Sequence, residues 1–160
     1  MARRKLGWMD RWIEDFGDDR GSKRLAEVLS RARFLDDGEQ RLLNLALLGG
    51  RTYREIGMLV GMNAGCVCRR TNDLVRRLAD PLVARLLDDP RGLSPVYLAV
   101  GRAYFVNRQS ARCIAREQAV AEREVLAIVD QLRRWAALPP QQRSTSGRDE
   151  HEAGTYHKVA

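Results

Sequence analysis

Residues 39–78 read EQRLLNLALLGGRTYREIGMLVGMNAGCVCRRTNDLVRRL. The run from Glu39 to Leu48 is leucine-rich and apolar nearly all round, which predicts a buried helix that Gly49-Gly50 stops. Thr52 followed three residues later by Glu55 is the pattern of a capping box, in which hydroxyl and carboxylate satisfy orphan amides at a helix start. A short helix over Tyr53 to Val60 follows from it. Gly61 supplies the positive φ that a sharp turn needs, and the periodicity resumes as a third helix over Ala64 to Leu78. Gly57 falls where two crossing helices nearly touch, and a larger side chain there would hold them apart.

The same pattern occurs again. Residues 39–78 lie over residues 97–136 at a constant offset of 58 without gaps, pairing Thr52 with Ser110, Arg54 with Arg112, Ile56 with Ile114, Gly57 with Ala115, Met62 with Val120, Val67 with Val125, Leu74 with Leu132 and Arg76 with Arg134. Two copies of one supersecondary unit are implied. In the second copy Ser94 and Pro95 open the first helix, Ser110 caps the second, and Ala121 to Ala137 forms the third. Upstream, Trp8, Trp12, Ile13 and Phe16 form one amphipathic stripe, and Leu25, Val28, Leu29, Ala32 and Leu35 form another. Asp18-Asp19, Asp36-Asp37 and Asp88-Asp89 are read as helix-start capping residues. Pro81 and Pro90 bracket a short helix over Leu82–Leu87 inside the Ala79–Leu93 joint.

The first copy, with Thr52-Tyr53-Arg54-Glu55-Ile56-Gly57 and Val60-Gly61-Met62, resembles the helix-turn-helix of bacterial sigma-factor region 4. The other copy resembles a diverged helix-turn-helix of the same general kind. The resemblance implies a third helix that enters the major groove of promoter DNA, and a domain that docks on RNA polymerase. The segment that melts promoter DNA in that family has no counterpart among the residues before the first copy, so a self-sufficient initiation factor is not expected.

On a helix over 64–78, Val67, Thr71, Leu74 and Leu78 share one stripe and face the core. Cys68, Arg69, Asn72 and Arg76 then point outward, with Arg70 and Arg77 on the flanks and Asp73 as the opposing acid. Such an excess of guanidinium suits a polyanion. Arg51, Arg54, Arg69, Arg70, Arg76 and Arg77 are therefore assigned to phosphates, and Asn63, Cys68 and Asn72 to positions nearest base edges. The start of this helix, Asn63-Ala64-Gly65-Cys66, offers few groups that hydrogen-bond bases. Cys66 and Cys68 read as small packing residues, with a redox-responsive pair as the alternative. The third helix of the second copy mixes Glu122, Glu124 and Asp130 with Arg123, Arg133 and Arg134, a balance that suits protein contact better than phosphate. Tyr97, Tyr104 and Phe105 read as core, with an exposed anchor as the alternative.

Over the whole chain of 160 residues, 28 Lys and Arg stand against 21 Asp and Glu, a formal charge of +7. Only three of the 28 are Lys, a bias that suits phosphate but is close to neutral as an argument. There is no apolar run to cross a bilayer and no secretory signal pattern, so a cytoplasmic protein is expected. The odd cysteine count argues against a disulfide framework, and His151 and His157 lie far from any cysteine, so no metal and no cofactor is expected. Nor does any catalytic dyad, phosphate loop or acid pair occur at a working spacing, and enzymatic activity is not expected.

The reading is an all-α protein. Its parts are a helical N-terminal extension (residues 1–36), a first helix-turn-helix domain (37–80), a linker helix with a second such domain (81–138) and a disordered tail (139–160). Its expected partner is double-stranded DNA, with RNA polymerase or another transcription protein implied by the resemblance. An adaptor that binds RNA polymerase or a sigma factor is the alternative, and an assembly component is a third.

Overall fold

The computed structural model describes residues 19–138, with side chains from residue 22 onward. The stripe at Trp8 to Phe16, Asp18, both histidines and the tail lie outside the described residues. Those described are all-α, without a strand: α1 (Asp19–Ala32), α2 (Asp37–Leu47), α3 (Tyr53–Val60), α4 (Ala64–Ala79), α5 (Pro81–Asp88), α6 (Pro95–Gly101) running into a π-helical segment (Arg102–Val106), α7 (Ala111–Gln118) and α8 (Glu122–Ala137). Among them no helix is long and apolar enough to cross a membrane.

The local signals act where the sequence puts them. Asp36, Thr52, Ser94 and Ser110 each cap a helix through a side-chain oxygen that accepts an N–H of the first turn, and Asn63, assigned in sequence to a base edge, caps α4 in the same way. The capping box is complete at α3, where Glu55 N–H donates to Thr52 Oγ1 at 3.3 Å and Thr52 N–H to Glu55 Oε2 at 2.7 Å. At α8 only half of it forms, because Ala121 has no side-chain acceptor: Glu124 Oε2 accepts from the Ala121 N–H at 3.2 Å.

The sequence repeat is also a repeat of backbone geometry. Gly61 (φ 69°) and Ala119 (φ 52°) make the left-handed turn between the short and the long helix of each copy. Across that turn Met62 N–H donates to the Gly57 carbonyl at 2.9 Å, and Val120 N–H to the Ala115 carbonyl at 3.0 Å. Further back, Gly50 (φ 57°) and Arg108 (φ 55°) take the same left-handed corner before the short helix. Gly57 is required for a reason slightly different from the one expected. A Cβ there would stand 2.3 Å from the Met62 carbonyl oxygen, so the close neighbour is the turn backbone and not a crossing helix.

Two apolar clusters form the core. The first joins Val28, Leu42, Leu43, Ile56, Val67, Leu74, Leu78, Val83 and Val106; the second joins Val100, Ala111, Ile114, Ala115, Val125 and Val129. Leu86 and Leu132, both fully buried, meet at Gly101, where a Cβ would stand 3.0–3.1 Å from their methyl groups. Tyr104 and Phe105 pack half-buried on the second cluster, in line with the core reading, whereas Tyr97 is half-buried outside both clusters and its hydroxyl donates to Gln131 Oε1. Between the repeats, Arg85 of α5 lies over the Trp135 ring at 4.4 Å and donates to the Ala136 carbonyl at 3.1 Å.

Two expectations fail here. The helix read as buried all round, α2, buries only Leu42 and Leu43; Leu48 is exposed because α1, α3 and α4 cover one side of it. The first helix of the second copy opens at Ser94 and Pro95 as read, and α6 continues into the π-helical segment. Asp88-Asp89 caps no helix start. Asp88 is the last residue of α5, and Asp80 caps that helix, accepting from Leu82 N–H at 2.8 Å. A carboxylate at a helix C-terminus opposes the dipole. Asp88 is offset by the buried Arg31, whose Nη2 meets Oδ2 at 2.6 Å while Nη1 donates to the Leu78 carbonyl at 2.8 Å. Asp89 follows the helix and pairs with Arg91.

Candidate nucleic-acid interface

The candidate interface is built on α4, the long helix after the Gly61 turn. Val67, Thr71, Leu74, Val75 and Leu78 are its buried residues and set its rotation, as hydrophobic spacing requires. Arg69, Asp73 and Arg76 lie three or four residues apart along the opposite, exposed face, with Arg70 exposed at its side. Arg70 Nη1 reaches back over the turn to Met62 Sδ at 3.8 Å, and Arg69 Nη2 lies 3.3 Å from Cys66 Sγ. Arg51 and Arg54 are exposed at the start of α3.

Of the residues assigned to phosphates, Arg77 is misplaced. Its side chain is only 6% exposed, its Nη2 pairs with Glu39 Oε1 at 2.9 Å, and its Nη1 donates to the Val106 carbonyl. The flank of α4 that carries Arg77 is covered by the π-helical segment of the second repeat, and the guanidinium satisfies polar groups there. It does not face solvent, so it is withdrawn from the interface.

The residues placed nearest base edges are also committed elsewhere. Asn63 is exposed, but its Oδ1 accepts the Cys66 N–H at 2.8 Å as the cap of α4. Cys68 is half-buried and packs on the first core cluster, since it shares a stripe with Thr71 and Val75. It therefore points toward the protein, in agreement with the packing reading of this cysteine and against its place at a base edge. Asn72 is half-buried, its Nδ2 3.6 Å from Cys68 Sγ and its Oδ1 buried. What α4 presents outward is guanidinium, with few neutral hydrogen-bonding groups.

Sequence reasoning missed Arg108. It projects from the left-handed corner of the second repeat to Asp73 on α4, Nη2 to Oδ1 at 3.0 Å. The signal for it was its offset: Arg108 falls on Gly50, in a turn.

At the start of α3, Glu55 is held below its ordinary value of 4.5, chiefly by the Thr52 backbone N–H, then by the Thr52 hydroxyl, with the nearby Arg51 charge adding to both. A depressed carboxylate contributes stability above its unfolded value and loses it as pH falls through the folded one. A carboxyl NMR titration should therefore place the Glu55 midpoint below 4.5, and Thr52→Ala should move it upward. An unmoved midpoint in the variant would exclude the hydroxyl as a cause.

Comparison of the chain with family models, with curated proteins and with solved structures returns no match.

Proposed function

We propose that the protein is a DNA-binding transcriptional regulator of the sigma-region-4-like, helix-turn-helix kind, with α4 lying in the major groove of duplex DNA. The observation that carries this reading is the exposed face of α4, where Arg69, Arg70 and Arg76 stand on a helix presented by a capped short helix and a left-handed turn. Guanidinium groups along such a rod suit the phosphates that flank a groove. Because Asn63, Cys68 and Asn72 are engaged within the protein, phosphate contact supplies most of the affinity and base discrimination is weak. Arg51 and Arg54 at the start of α3 extend the same basic surface.

Affinity for a short duplex as a function of salt tests the proposal. Log affinity should fall against log salt with a slope of about −0.9 per neutralised phosphate, hence about −2.7 or steeper with three arginines engaged. A flat slope would sink it.

One observation favours an adaptor for RNA polymerase or a sigma factor. Met58 and Leu59, 72% and 57% exposed, form an apolar pair on the outer side of α3. The second repeat carries Arg116 and Glu117 there. An apolar pair of this kind suits protein contact, and salt-insensitive capture of polymerase with no duplex binding is the adaptor's signature.

A further inference from the structure

At the corner before its short helix, the second repeat carries an arginine where the first carries a glycine. Gly50 and Arg108 have φ of 57° and 55°. Glycine takes this left-handed conformation freely, whereas a residue with a Cβ takes it against steric resistance. The corner is well anchored all the same: Asn107 N–H donates to the Arg102 carbonyl at 3.0 Å and Gln109 N–H to the Ala103 carbonyl at 2.9 Å. The exposed Ala119 holds the same left-handed conformation (φ 52°) with only a methyl group, so any use of the Arg108 side chain lies in where its guanidinium reaches.

Stability does not account for that use. The Arg108 side chain is 59% exposed and its partner Asp73 is 51% exposed. An ion pair so open to water contributes little to folding. Its location is more telling. Asp73 lies four residues after Arg69 and three before Arg76, in the middle of the face that α4 turns to solvent. A carboxylate there opposes the approach of phosphate. Arg77 Nη2 stands 3.5 Å from one oxygen of Asp73 and Arg108 Nη2 3.0 Å from the other, so its charge is offset from both sides. Arg77 is buried, while Arg108 stays at the surface and brings its guanidinium onto the strip from a different repeat.

We propose that Arg108 is a nucleic-acid contact, the second repeat's contribution to the phosphate-facing strip of α4. This rests on the duplex-binding reading above. It makes the two repeats parts of one interface and gives the second a role in DNA binding that its own near-neutral long helix does not suggest.

The test measures duplex affinity and its salt slope for the whole protein, for Arg108→Gly and for Arg108→Lys, beside thermal melting of each. Arg108→Gly should bind about tenfold more weakly, as expected for the loss of one charged hydrogen bond. Its salt slope should be shallower by about 0.9. Its melting temperature should stay level or rise, because glycine relieves the corner. Arg108→Lys should restore the slope. If Arg108→Gly binds like the wild type while loss of the α4 arginines abolishes binding, the proposal falls and the duplex reading stands. If Arg108→Gly lowers binding and melting temperature together and lysine restores neither, the residue is structural and the proposal also falls. A wild-type protein that does not bind duplex overturns both.

Discussion

Replacing Arg77 by alanine is expected to cost about 3 kcal/mol of folding stability, near the lower end of what breaking a buried ion pair costs. The guanidinium binds Glu39 with two nitrogens, at 3.1 and 2.9 Å, and donates to the Val106 carbonyl. Without it the carbonyl loses a buried partner, and the Glu39 carboxylate, 28% exposed, is left partly desolvated and alone. Residual water access to Glu39 holds the figure below the extreme. For a domain of this size, the loss corresponds to a melting temperature lower by about 10 °C. Lysine should not rescue it, since a single ammonium cannot reproduce the forked geometry. The salt slope of duplex binding, measured where the variant is folded, should equal that of the wild type, because Arg77 faces no phosphate. Melting unchanged together with a shallower slope would reverse the assignment and return Arg77 to the interface.

Removing Arg69, Arg70 and Arg76 together should have the opposite profile. All three are exposed, and alanine favours the helix as well as any residue, so the fold should melt within about 1–2 kcal/mol of wild type. Duplex affinity should fall by at least about a hundredfold, since each charged contact contributes roughly a factor of ten. The salt slope should become shallower by about 2.7. Anisotropy titrations at several salt concentrations read both quantities, and circular dichroism checks the helices. A triple variant that binds with unchanged slope would show that the phosphates are met elsewhere on the molecule, and the α4 interface would be discarded. The pair of experiments separates two kinds of arginine that are indistinguishable in sequence: one set is exposed along α4, and the other ties the two repeats together.

Much of the architecture was legible without coordinates because its signals are local. Thr52 and Glu55 lie three residues apart and meet within one turn, so the capping box is decided by its own stretch of chain. The spacing of Val67, Thr71, Leu74 and Leu78 determines which side of α4 is buried whatever it packs against. The offset of 58 survives because both copies keep the capped short helix and the left-handed turn before the long one, even where Gly61 is replaced by Ala119. Even so, a stripe settles only the centre of a face. Residues on its flanks, such as Cys68 and Arg77, turn inward or outward according to what the rest of the chain brings beside them.

An all-α chain, its helix starts and the arginine-bearing face of α4 are thus written in contacts between near neighbours along single helices, and its repeat in the recurrence of those local signals. The docking of distant segments makes Arg77 an internal tie, brings Asp88 to the buried Arg31 and sets Arg108 beside Asp73. Those outcomes join residues 29, 57 and 35 positions apart, and such pairings follow from how α1, α5 and the second repeat dock around α4, which no local pattern encodes.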